Sequence, residues 1–257
     1  MTREAKVNTY RTTARIVGAL FLAGMVVGIG GHALVQSVLA APDHLSDVPA
    51  SGMLLAIGAV LMLMTVAGDT AHGVLMFPVL KQHKERIAVG YLGFRIVDAV
   101  FLAIMALFVL FQIPLGKEYL EAGASDASYL QALSTLSAQA QLYAYNVAMT
   151  FLGIAGLMLC YALYGARLVP RLVAVWGLVG YAIILCGSVL EVLGFDLLSI
   201  HAIPGGLWEL FIGVWLIVKG FNPSAFATGA TNPDNGVSTG VRQPAVVPPI
   251  DRVPSNG

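Results

Sequence analysis

The chain is 257 residues long, 58% hydrophobic and only 11% charged, and its formal net charge is zero. With a mean hydropathy of +0.81, it lacks the polar surface that a water-soluble fold of this length requires, which excludes a soluble globular domain. The partner implied by composition is the lipid bilayer, and no nucleic acid is expected.

A spanning helix needs roughly 20 mostly apolar residues to cross a hydrocarbon core about 30 Å thick. Six stretches reach that length, and they predict an all-α polytopic membrane bundle with six transmembrane helices within residues 14–221. The first runs from about Ala14 to Val35, after a short N-terminal segment, residues 1–13, that holds Arg3, Lys6 and Arg11. Val38-Leu39-Ala40 resembles a signal-peptide cleavage site, but the apolar run from Ile16 to Leu39 exceeds the usual core of roughly 7 to 15 residues. It reads as a retained helix, with His32 near its outer end.

The second stretch, Gly52 to Val79, carries Asp69 and His72, and the third, Ala88 to Ile113, carries Arg95 and Asp98. The turn between them leaves room only for an antiparallel hairpin. The acidic segment from Pro114 to Ser137 is expected either to form a short helix at the lipid interface or to lengthen the fourth helix. That helix, Ala138 to Tyr164, holds Asn146. The fifth, Leu172 to Leu193, holds Glu191, and the sixth, Ile200 to Phe221, holds His201 and Glu209. Pro204 is either the first residue of the sixth helix or a kink within it. From 222 to 257 the composition turns to Asn, Gly, Ser, Thr and six prolines, which predicts a disordered tail.

Basic residues fix the expected orientation. Arg3, Lys6, Arg11 and Arg15, then Lys81, Lys84 and Arg86, then Arg167 and Arg171, then Lys219, Arg242 and Arg252 all fall on one side. The opposite loops hold Lys117 against Asp43, Asp47, Glu118, Glu121, Asp126 and Asp196. By the positive-inside rule both termini face the cytoplasm of a plasma membrane.

Cys160 and Cys186 differ in depth by about 15 Å on helical rise and are expected as separate thiols. Glycines crowd the first helix (Gly18, Gly24, Gly28, Gly30, Gly31), the fourth (Gly153, Gly156) and the fifth (Gly177, Gly180, Gly187), as close helix packing in lipid requires.

Ionisable residues inside the spans are the candidate functional residues. Helical rise places His72 and Arg95 about 10 to 12 Å from the cytoplasmic edge, and Asp69, Asp98 and Glu209 about 15 to 18 Å from it. A charge facing lipid at that depth costs at least about 2.5 to 3.5 kcal/mol, so the five are expected to converge inside the bundle. Asp69 and His72 are three residues apart, as are Arg95 and Asp98, so each pair shares a helix face. One guanidinium cannot balance three carboxylates, which predicts a protonated acid or a charged His72. His32, Asn146, Glu191 and His201 form a second, shallower group near the outer face.

No H-E-x-x-H, glycine-rich phosphate loop, G-x-S-x-G or C-x-x-C occurs. No metal site is expected. His32 and His72 differ in depth by about 15 Å, too far for two axial haem ligands; His32 with His201 is geometrically open to that role, but no cofactor is expected.

Four stretches carry a family resemblance: Ala14-Arg15-Ile16-Val17-Gly18, Gly90-Tyr91-Leu92-Gly93-Phe94-Arg95 with Asp98, Pro170-Arg171-Leu172-Val173-Ala174-Val175-Trp176-Gly177, and Trp208-Glu209 running on to Trp215-Leu216-Ile217-Val218-Lys219-Gly220-Phe221. From Ala14 to Phe221 the chain resembles the bacterial multi-pass membrane family catalogued as domain of unknown function 4386. The resemblance implies a helical membrane bundle with Arg95 and Glu209 on recurrent charged positions, and Asp98 where relatives often carry Glu. It attaches no activity.

Three functions compete. One is a small-molecule or proton-binding site, with translocation, using Asp69, Asp98 and Glu209 as acceptors and Arg95 as their partner. Another is an intramembrane enzyme in which a neutral Asp69 or Glu209 protonates a lipid or isoprenoid-like substrate, with Trp208, Phe94 and Tyr91 lining the pocket. The third is a structural or regulatory membrane protein whose charges only set helix register.

Overall fold

A chain in lipid must satisfy its backbone hydrogen bonds internally, and apolar runs of this length do so as helices. The computed structural model, which describes residues 3–41, 44–121 and 124–226, contains α1 (Arg3–Leu39), α2 (His44–Lys81), α3 (Glu85–Glu121), α4 (Ala124–Gly165), α5 (Arg171–Val192) and α6 (Ile203–Val218). Short 3-10 turns precede α6 (Ile200–Ala202) and follow it (Pro223–Phe226). No strand occurs among the described residues. Asp43, Arg242, Arg252 and the expected disordered tail from 227 onward lie outside them.

Four helices outrun the membrane. α1, α2, α3 and α4 have 37, 38, 37 and 42 residues, so at 1.5 Å per residue each is about 55 to 63 Å long. No separate interfacial helix forms: Pro114 to Glu121 continues α3, and residues 124–137 open α4. Hydropathy falls at the bilayer edge, whereas Lys117, Glu118 and Leu120 remain good helix formers in water, so the helix passes the boundary that the apolar pattern marks. A polar clasp ties the extensions together. Ser134 donates to Gln112 Oε1 at 2.7 Å, Gln112 Nε2 donates to the Ser134 carbonyl at 3.1 Å, and His44 Nε2 meets Ser134 Oγ at 2.8 Å.

Each helix packs on its chain neighbours, and α6 returns to α1, closing the bundle into a ring. Glycine allows the closest crossings. A Cβ on Gly31 of α1 would stand 3.0 Å from the Gly58 carbonyl of α2, and one on Gly180 of α5 would stand 3.0 Å from Gly205 Cα of α6. Toward the termini the ring fills with a buried core that includes Val17, Met76, Leu80, Tyr91, Trp208 and Ile212. A second cluster, with Val35, Val48, Leu55, Ala59 and Val109, fills the opposite end between α1, α2 and α3.

Residues 222–226, placed by sequence in the tail, fold back across the helix ends. Asn222 donates its backbone N–H to the Leu168 carbonyl at 2.9 Å, and Phe226 stacks on Tyr10 with ring centroids 4.1 Å apart. His83, in the α2–α3 turn, packs against Phe226 with a buried, unpartnered Nε2. Burial holds its imidazole below the ordinary value of 6.5. The unfolded state then binds more protons than the folded one, so this seam is fully stable above 6.5 and weakens as pH falls below it. A tryptophan at Phe226 is expected to shift its emission to the red between about pH 7.5 and about pH 5.5, and a second change, His83→Gln, is expected to flatten that response.

Candidate functional site

Arg95 sits where α3 faces α2. Its Nη1 donates to Asp98 Oδ2, one turn along the same helix, at 3.1 Å, and its Nη2 donates to Asp69 Oδ1 on α2. Gly73 of α2 makes room for it: a Cβ there would lie 3.2 Å from Arg95 Cβ. Asp98 is fully buried, whereas the Asp69 side chain keeps 23% of its surface.

Sequence spacing put Asp69 and His72 on one face, but no hydrogen bond joins them. His72 Nδ1 instead meets the Tyr91 hydroxyl at 2.6 Å, and its ring lies edge-on to Phe21 with centroids 4.3 Å apart. Glu209 of α6 makes no ion pair with Arg95. It accepts from the Tyr181 hydroxyl of α5 at 2.7 Å. The structure therefore brings Asp69, Arg95 and Asp98 into direct contact and gives His72 and Glu209 tyrosine partners.

These groups form one end of a cavity of about 600 Å³. Asp69, His72, Arg95 and Glu209 make its floor, and Phe21, Met25, Met62, Leu102, Met105 and Met149 make much of its apolar wall. The exposed rim residues Ile29 and His32 of α1 and Leu142 of α4 put the mouth at the end away from the chain termini. Beneath the floor Tyr91, Met76, Leu80 and Trp208 are packed shut. Trp208 donates its indole N–H to the Val173 carbonyl at 2.7 Å, which fixes α6 against α5.

Trp208 and Tyr91, expected in the pocket wall, lie below it instead. Phe94 stacks on Phe151 of α4, away from the cavity. Large rings gain most where the bundle is solid, and Trp208 and Tyr91 are buried in that core. Sequence reading missed Tyr181, Tyr145 and Gln141. A tyrosine or glutamine in an apolar run was their only signal, and it does not say which face it takes.

The shallower group divides. His201 Nε2 meets Ser188 Oγ at 3.1 Å, its Nδ1 lies 3.4 Å from Glu191 Oε1, and the same carboxylate oxygen accepts the Ser199 N–H at 2.9 Å. That chain of contacts follows the Ser, His, Glu order of an acyl-transfer triad, but at 3.4 Å His201 Nδ1 makes no hydrogen bond to Glu191. Ser188 has no exposed surface for a substrate to reach, so the chain acts as a clasp holding the 3-10 turn to α5. Gly187 admits it, because a Cβ there would collide with His201. His32 stands on the cavity rim, and Asn146 is buried with Oδ1 unpartnered.

Among the described residues no three His, Cys, Asp or Glu side chains gather as a metal-ligand set. Cys160 is buried and Cys186 exposed, both as free thiols.

Six helices, each long and apolar enough to span a bilayer, arranged around an internal charged layer, define an integral multi-pass membrane protein. The chain belongs to the family described as Domain of unknown function (DUF4386), whose model matches residues 16–220. No curated protein and no solved structure matches it.

Proposed function

We propose that this protein binds a small amphipathic molecule within the membrane, its polar end on Glu209, Asp69 and His72 and its apolar part along the methionine-lined wall. The observation that carries the reading is a cavity of about 600 Å³ that joins a charged floor to apolar walls. Pockets of this size with a few convergent polar groups are the usual form of small-molecule sites. The basic helix ends, Arg11, Arg15, Lys81, Lys84, Arg86, Arg167 and Arg171, support a cytoplasmic position for both termini in an inner membrane. The mouth then opens outward, and the packed layer below the floor is the barrier that translocation has to open.

A photoreactive long-chain diazirine alcohol tests this in intact membranes. Label is expected on Met62, Met105 and Met149, which are buried from lipid, as well as on the exposed Val26, Val60 and Val100. Label confined to the exposed positions would overturn the binding role. The apolar wall also supports a second reading, acid catalysis by Glu209 on an isoprenoid-like substrate. Conversion of an added lipid by purified protein, lost in Glu209→Gln, is its test.

A further inference from the structure

We propose that the cavity selects a lipophilic cation, an amine or onium group seated at Glu209 with its hydrocarbon part on the methionine wall. This rests on the binding role proposed above and adds the sign of the ligand's charge. Three carboxylates, Asp69, Asp98 and Glu209, gather at or behind the floor against one guanidinium. Arg95 is already committed, with Nη1 on Asp98 and Nη2 on Asp69. Glu209 has a tyrosine hydroxyl at 2.7 Å and no ion pair among the described residues. A hydroxyl is neutral, so among the described residues nothing in contact with Glu209 supplies the counter-charge that a bound cation would bring to its carboxylate.

An anion reaching this floor meets two carboxylates and a cation whose charge is in use. A cation meets an acid that lacks one.

His72 supplies an independent indication. Its ring lines the cavity, the residue is only 3% exposed, and with Nδ1 bonded to Tyr91 its Nε2 has no partner among the described residues. When Nδ1 carries the proton, Nε2 is a bare acceptor that a ligand N–H completes. Two rings, Phe21 and Tyr145, line the same space and favour a cation over their faces. No lysine lines it. Met25, Met62, Met105 and Met149 are flexible and polarisable, which suits hydrocarbon groups of varied shape.

The probe is tetraphenylphosphonium, a bulky monovalent cation, measured by equilibrium dialysis against purified full-length protein. Saturable binding is expected, displaced by octylammonium and unaffected by octanoate of the same chain length. Glu209→Gln is expected to weaken phosphonium binding at least about tenfold, which corresponds to about 1.4 kcal/mol. Failure of the phosphonium to bind, equal displacement by octanoate, or unchanged affinity in Glu209→Gln overturns the inference. Should the variant not fold, the competition pattern on the unaltered protein decides alone. If the diazirine alcohol still labels Met105 while the cation is not preferred, charge selection is lost and the binding role stands. If neither probe enters, both fall.

Discussion

An Arg95→Leu variant is expected to leave little folded protein in the membrane. Removing the guanidinium strands two carboxylates, and breaking a buried pair by deleting one partner costs about 3 to 5 kcal/mol. That is a large share of a total stability of about 5 to 15 kcal/mol. Asp98 has no exposed surface, and its Oδ1 already lacks a partner, so water does not rescue it. Thermal unfolding followed by size-exclusion chromatography reads the loss. The triple change Arg95→Leu, Asp69→Leu and Asp98→Leu removes both ion pairs with all three of their partners and is expected to recover most of the folded protein, since an apolar replacement of similar volume is often neutral or better. A single variant as stable as the parent would show that the pair does not hold α2 to α3. Recovery of folded protein that no longer binds ligand separates the structural role of these charges from the proposed one.

A Gly24→Leu variant is expected to do the opposite, keeping or raising stability while abolishing binding. Gly24 lines the cavity, and a Cβ there meets nothing within 4 Å. Replacing glycine inside a helix gains roughly 0.5 to 1 kcal/mol, and the new side chain occupies the space proposed for the ligand. Labelling of Met105 and Met149 by the diazirine alcohol should fall at least about tenfold, equivalent to about 1.4 kcal/mol. Gly31→Leu is the control. On the same helix, a Cβ at Gly31 already stands 3.0 Å from Leu61 Cβ as well as from the Gly58 carbonyl, so leucine there forces α1 off α2 and lowers stability. Undiminished labelling in Gly24→Leu would mean that the probe occupies another place.

The two outcomes differ in how far each was legible beforehand. The contact between Arg95 and Asp98 follows from their spacing of three on one helix, and the cost of charge in lipid requires that they turn inward. Depth counting also put Asp69 in the same slab. What depth does not give is rotation about the helix axis. Asp69 and Glu209 lie at similar heights, yet one meets Arg95 and the other meets Tyr181, because the turn of α6 against α5 is set by Trp208 on the Val173 carbonyl and by Gly180 against Gly205. Nor does sequence distinguish Gly24, which faces empty space, from Gly31, which faces a neighbouring backbone.

By itself the sequence determined that this chain lives in a bilayer, that it crosses in helices, and that its charged residues turn away from lipid, because each follows from the cost of moving a segment or a charge out of water. Tertiary structure alone decided that the ring of helices leaves a cavity on one side of the charged layer and closes solidly on the other. Cavities depend on how neighbouring helices rotate and interlock, and residues far apart in sequence fix that together.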